Sequence, residues 1–169
     1  MSIIYRTAVL ADAPAIDGIF RESFRDTFAH LYAPQDLAAF LGQFTPRAWA
    51  DEITDLRYAF RLAEDDAQAV GYVKLGPPSL PVQPRGRAIE LRQLYVLTSH
   101  LGAGIGAELM DWALDEARRR DAEELFLTVY TDNHRARRFY ARYGFEEVGP
   151  YVFMVGEHAD EDIIMRLAL

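Results

Sequence analysis

The sequence predicts a layered α/β (α+β) fold, and three observations carry that expectation. Segments rich in β-formers alternate along the chain with segments whose apolar residues recur at helical spacing. Leu125 to Tyr130 is a continuous apolar run bounded by charged and turn residues, as expected of a central strand buried on both faces. The strand expected over Ala88 to Val96 passes through a glycine-rich turn straight into a helix.

Taken in order, Ile3 to Val9 reads as a first strand, and Asp12 with Pro14 opens a helix carrying Ile16, Ile19 and Phe20. A second helical region covers about Ser23 to Leu41, broken near Pro34, with Phe24, Phe28 and Leu31 on one face. Thr45-Pro46 is the cap and first turn of a short helix reaching Thr54. Tyr58 to Ala63 and Ala69 to Leu75 flank the acidic turn Glu64-Asp65-Asp66 and read as a hairpin. Residues 76–86 hold four of the eight prolines, so a loop is expected there, extended and mobile. After the strand at Ala88 to Val96, a helix is expected from about Gly104 to Arg120. The strand Leu125 to Tyr130 follows, then a short helix over His134 to Tyr143 ending at the cap Gly144. Two last strands cover about Glu146 to Met154 and Ile163 to Leu167.

The bulk numbers narrow the function. At 169 residues, 1–169 reads as a single domain with room for a real core. No cysteine is present, which removes a disulfide framework, a thiolate metal site and a Cys nucleophile. A net charge of −8 argues against nucleic acid as a partner. No run approaches the roughly 18 apolar residues of a membrane span, and the N-terminus lacks a basic segment followed by an apolar one. A cytoplasmic protein with no membrane partner is the expectation. His30, His100, His134 and His158 are scattered without ligand spacing, so no metal is expected.

Leu94-Tyr95-Val96-Leu97-Thr98-Ser99-His100-Leu101-Gly102-Ala103-Gly104-Ile105-Gly106 is the most informative stretch. Its glycines remove side chains where backbone would approach a ligand. The helix that follows offers unpaired N–H groups and a dipole that favours an anion, together a pyrophosphate cradle. No Gly-Lys-Ser/Thr follows, and the next strand ends at Thr131 rather than at an acidic residue, so neither a P-loop nor a Rossmann site fits.

Further on stands Asn133-His134-Arg135-Ala136-Arg137-Arg138-Phe139-Tyr140-Ala141-Arg142-Tyr143-Gly144-Phe145. Together the two segments resemble the GCN5-related (GNAT) N-acetyltransferases. In that family Gln/Arg-x-x-Gly-x-Gly/Ala precedes Asn-x-x-Ala-x-x-Phe-Tyr-x-x-x-Gly-Phe. The second motif is matched at every fixed position. The first is matched at Gly104 and Gly106, with Leu101 in place of Gln or Arg. Ser23 to Phe28, Glu90 to Val96 and the ending Phe153-Met154-Val155-Gly156…Asp162-Ile163-Ile164-Met165 look like the PaiA-type bacterial polyamine acetyltransferases.

The resemblance implies a GNAT fold, a mixed twisted sheet of about seven strands with helices on both faces and a splay between the fourth and fifth, and acetyl-CoA as co-substrate. It implies that the backbone of Leu94, Tyr95 and Val96 pairs with the pantetheine arm. Leu101, Gly102, Ala103, Gly104, Ile105, Gly106 and Ala107 would hold the pyrophosphate. Asn133 and Ala136 would meet the cofactor on its pantetheine side, and Tyr140 would sit beside the thioester sulfur.

Acyl transfer to an amine expels a thiolate. The Tyr140 phenol, with a pKa of about 10, can donate a proton to it; the alternative is a core aromatic whose hydroxyl is satisfied nearby. Tyr143 reads as packing. Glu90 lies an even number of residues before Leu94, hence on the same face, and is the candidate base. A pairing with Arg87 or Arg92 carries equal weight. Arg135, Arg137, Arg138 and Arg142 read as a solvated helix face, with contact to the 3′-phosphate of CoA as the alternative.

With no Cys and no Ser-His-Asp set, direct transfer in a ternary complex is expected. A polyamine such as spermidine or spermine is the expected acceptor. Phe24, Asp26 and Glu90 are the candidate substrate contacts. Glu157, Asp160, Glu161 and Asp162 cluster in what reads as the connection before the last strand, and Glu22 and Asp26 lie on the early helices. Solvated surface charge is the competing account of these acids. Another amine (an aminoglycoside, an amino acid or a protein N-terminus) and a CoA-binding regulatory module without catalysis are the rival functions. A homodimer is left open.

Overall fold

Seven strands form one sheet in the order β1-β2-β3-β4-β5-β7-β6 in the computed structural model, which describes residues 2–169. They are β1 (Ile3–Thr7), β2 (Ala59–Asp65), β3 (Gln68–Gly76), β4 (Ala88–Val96), β5 (Glu124–Tyr130), β6 (Glu146–Val155) and β7 (His158–Ala168). Helices α1 (Ala13–Phe28), α2 (Pro34–Leu41) and α3 (Pro46–Thr54) precede β2. Helix α4 (Ile105–Arg119) joins β4 to β5, and α5 (His134–Arg142) follows β5. All neighbours pair antiparallel except β4 and β5.

That parallel pair governs the molecule. Ala88, Ile89 and Glu90 face Glu124, Leu125 and Phe126, and the pairing then stops. Beyond Glu90 the two strands part, as the expected splay requires. One edge of β4 over residues 91–96 is left without a strand neighbour, because its other edge is taken by β3.

Each face of the sheet has its own core. Leu109, Met110 and Ala113 of α4 pack with Val73, Leu75, Leu125, Leu127 and Met165. On the opposite face Ile16, Ile19, Phe20 and Phe24 of α1 meet Trp49, Leu62 and Tyr72. Each of these large side chains contributes about 1.5–3 kcal/mol through burial. Arg21 ties the layer together: it bonds Asp17 and donates to the carbonyls of Leu41, the last residue of α2, and Phe44 just beyond it. Asp17 in turn accepts from the Trp49 indole at 2.8 Å.

The sequence elements are recovered with four differences. Helix α1 runs unbroken through Ser23 to Phe28, so the two early helical segments are one, followed by a short 3-10 turn at Ala29–Leu31. The hairpin turns at Asp66 and Ala67, both with positive φ, and Glu64 and Asp65 belong to β2. Residues 77–87 are extended but anchored: Ser79 bonds Glu90, Gly86 N donates to Glu124 at 2.9 Å, and Arg92 donates to the Pro77 carbonyl at 2.7 Å. Strand β7 begins at His158, five residues earlier than the apolar pattern indicates, which turns the supposed acidic connection into strand. No helix is long and apolar enough to cross a membrane among the described residues.

Candidate active site

A cleft of about 1230 Å³ opens where β4 and β5 part and runs from the first turn of α4 to the start of β7. Its α4 end is built by backbone. Gly102 and Gly104 both take φ of +81°, a left-handed conformation that costs other residues roughly 1–2 kcal/mol. A Cβ on either would meet no atom within 4 Å, so the turn is chosen for its backbone path and faces open space. Gly104 is the N-cap of α4, and its carbonyl accepts from Glu108 N at 3.1 Å. Ile105, Gly106 and Ala107 therefore carry N–H groups without intrahelical partners, and the helix dipole adds positive potential there. Arg135, Arg138 and Arg142 of α5 line the same end. This set fits a linear ligand that ends in a pyrophosphate, and the unpaired edge of β4 fits an amide-bearing arm laid along it.

The candidate residues separate on inspection. Leu94, Tyr95, Val96, Leu101, Gly102, Gly104, Ile105, Gly106, Ala107, Asn133, Ala136 and Tyr140 all line the cleft. Ala103 does not, and Leu101 is 43% exposed to solvent. Asn133 caps α5 by accepting from Ala136 N at 3.3 Å, which leaves its amide NH₂ uncommitted. Tyr143 packs on Phe139 and donates to the Ala107 carbonyl at 3.2 Å.

Tyr140 is buried against Phe139 and Phe145 yet lines the cleft, and among the described residues its hydroxyl has no hydrogen-bond partner. Burial raises its phenol above the ordinary value, so the proton stays on Oη. Tyr95 stands across the splay from it and feels the charges of both Tyr140 and Asp162.

Glu90 requires a correction. Β-strand parity from Leu94 places it with Leu94 and Val96, but β4 is bulged opposite Lys74 and Leu75. Leu91 therefore joins the α4-side core with Leu94 and Val96, while Glu90 shares the opposite face with Gln93 and Tyr95. There it is buried. Its Oε1 accepts from Ser79 N and Oγ at 2.9 Å each, and Oε2 lies 3.3 Å from Arg92. Phe24 is buried in the cleft wall, whereas Asp26 is exposed, lies outside the lining and accepts from Thr98 Oγ1 at 3.0 Å. Lys74 is buried in the lining too, paired with Glu52 at 3.0 Å and lying 5.1 Å from the Trp49 ring. Desolvation lowers its pKa.

The far end is aromatic and acidic. Asp160 and Asp162 alternate inward on β7, while Glu161 points out. Phe24, Phe28, Tyr32, Tyr130, Tyr151 and Phe153 wall the space around them. Tyr32 Oη donates to Asp160, and His158 Nε2 lies 3.1 Å from its other oxygen. Asp162 pairs in register with Tyr130 and Tyr151 and has no donor among the described residues. Burial first, then the charge of Asp160, pushes its pKa up to about 7.

The site is thus a splayed sheet with a glycine turn and helix N-terminus at one end of the cleft and buried carboxylates at the other. The chain belongs to the acetyltransferase (GNAT) family, whose model matches residues 17–145. A relative in Lactobacillus delbrueckii subsp. lactis, named an N-acetyltransferase, is 30% identical over 162 residues, spanning 94% of this chain and 92% of that one. Another, in Mycobacterium tuberculosis and likewise named an N-acetyltransferase, is 31% identical over 157 residues, 92% of this chain and 97% of its own. The solved structure of the PaiA N-acetyltransferase of Thermoplasma acidophilum in complex with coenzyme A shares the fold at a TM-score of 0.81. It is 22% identical and all of both chains is covered.

Proposed function

We propose that the 169 residues form one cytoplasmic N-acetyltransferase domain that moves acetyl from acetyl-CoA to a primary amine of a polyamine, in a single ternary complex. Bound acetyl-CoA supplies the acetyl group as a thioester. The free edge of β4 over Leu94 to Val96 holds the pantetheine arm, Asn133 and Ala136 flank it, and the turn from Leu101 to Ala107 holds the pyrophosphate. The coenzyme A in the Thermoplasma relative supports this assignment. Tyr140 Oη gives a proton to the departing sulfur.

One observation carries the acceptor class: the far end presents two buried carboxylates within aromatic walls, a setting that attracts and desolvates ammonium groups. Lys74 and Arg92, the cations that β3 and β4 bring to the cleft wall, are already bound to Glu52, Glu90 and the Pro77 carbonyl. An acceptor carrying an anion would find no uncommitted partner there among these residues. The test is thiol release with acetyl-CoA and a panel of spermine, spermidine, n-butylamine and aminoethylphosphonate. Spermine and spermidine are expected to give the highest kcat/KM. No release above hydrolysis with either at millimolar concentration would exclude the polyamine.

A further inference from the structure

A reacting amine must shed a proton inside the cleft, and the buried carboxylates there differ in how fully they are occupied. Both Glu90 oxygens are engaged, by Ser79 and Arg92. Asp160 is held by Tyr32 and His158. Asp162 is only 8% exposed, lines the cleft and has no donor among the described residues. A carboxylate set in the cleft wall with no protein donor is open to an occupant of the cleft, and its partial burial makes an unpaired charge there costly.

We infer that Asp162 is the proton acceptor of the transfer, and that Glu90 serves to pin the loop after β3. The inference rests on the acetyltransferase reading of the cleft but not on a polyamine being the acceptor.

The surroundings agree. The titratable groups that face Asp162 are Asp160 beside it on β7, Tyr130 on β5, Tyr151 on β6 and Tyr95 on β4, with Tyr32 and His158 acting through Asp160. None of those directly facing it is a cation, so nothing holds its pKa down. An ordinary carboxylate lies about 6 units below an alkyl ammonium at about 10.4. At about 7 the gap falls to roughly 3, which makes the proton easier to take. Asp162, Tyr95 and Tyr140 line the same cleft, and the charges of Asp162 and Tyr140 are both felt at Tyr95.

The step balances. Asp162 takes one proton from the ammonium, and the freed nitrogen lone pair forms the bond to the thioester carbonyl carbon. The C–S bond breaks with its electron pair on sulfur. Tyr140 Oη protonates that sulfur and is reprotonated by the proton the new amide nitrogen must lose. Asp162 returns its proton to solvent, so one proton is released per turnover.

The test is the pH profile of kcat/KM, by thiol release, for the whole chain, for Asp162→Asn and for Glu90→Gln, with spermidine and n-butylamine as acceptors. The parent is expected to show a rising limb near pH 7 with either amine. Asp162→Asn is expected to lose the limb and about 10²-fold or more in kcat while binding acetyl-CoA unchanged by calorimetry. Glu90→Gln is expected to keep the limb whatever its rate. Should Asp162→Asn retain the limb or the parental kcat, or raise KM alone, the inference is overturned. Turnover of n-butylamine without spermidine would end the polyamine reading and leave the Asp162 test intact. Carboxyl ¹³C NMR supplies a readout that needs no acceptor: an Asp162 signal titrating near 7 supports the assignment, and one titrating in the ordinary carboxylate range refutes it.

Discussion

Burial keeps the Tyr140 phenol protonated across the working range, which is what a donor to a leaving thiolate requires. Tyr140→Phe keeps the ring against Phe139 and Phe145 and removes only the donor. The expected result is a kcat lower by about 10²–10⁴-fold with acetyl-CoA affinity unchanged, measured by steady-state kinetics and calorimetry. Asp162 makes a second residue-level prediction, on stability. Its pKa is about 7 in the fold against about 3.9 in an unfolded chain. The folded state therefore prefers the proton, so this contribution is full below about pH 4 and is lost as pH rises through about 7. Asp162→Asn carries no charge to bury. Its urea midpoint should gain on the parent's between pH 4 and pH 8, and parallel midpoints would contradict the burial described. Tyr140 was legible because a spaced motif pointed to it. Asp162 was hidden because His158 to Asp162 are mostly polar, so burial alternates along that stretch without any apolar alternation to show it. Glu90 was assigned to the wrong face because one bulged residue inverts strand parity, and a bulge leaves no mark in composition.

Among the elements, those with a chemical signature at their ends were placed closely. Thr45 accepts from Ala48 N and Pro46 begins α3, as their types indicate. Gly144, at φ +95°, ends α5. The break expected before Ser23 was absent because Phe20 and Phe24 continue one buried stripe that packs on Phe40 and Tyr95, and tertiary contact keeps the helix going. The glycine turn before α4 carries the prediction at this scale. Gly104→Val forces a β-branched residue into left-handed backbone and adds bulk where the cradle faces the cleft. No protein atom stands in the way, so the variant should fold with a loss of about 1–2 kcal/mol. Acetyl-CoA binding should weaken sharply by calorimetry. Parental affinity in that folded variant would show that the turn does not hold the pyrophosphate.

Over the whole molecule, a charge of −8 says little by its sum and more by its distribution. The acids of β7 that line the cleft are not the most exposed ones. Glu22 and Asp26 face solvent away from the cleft, and Glu161 points outward, whereas Asp160 and Asp162 are buried within its walls. Arg135, Arg138 and Arg142 of α5 line the cleft too, on the helix whose Phe139 packs near Gly106. The cleft is thus polarised, basic where an anionic ligand would end and acidic where an amine would enter. Surface charge of either sign is screened over about 8 Å at physiological ionic strength, while buried charge is screened much less. Two effects of salt follow. The diffuse attraction of an acidic molecule for a polycation weakens, which lowers the association rate of spermine, with several charges, more than that of n-butylamine, with one. A contact with Asp160 and Asp162, once made, would be screened less, because both carboxylates are buried. The expected outcome is that kcat/KM for spermine falls steeply from low to physiological ionic strength and then levels, with kcat unchanged throughout. For n-butylamine the slope should be several-fold shallower. Measuring both acceptors across a salt series at fixed pH tests this directly, and equal slopes for the two amines would mean that the acidic end does not select by charge.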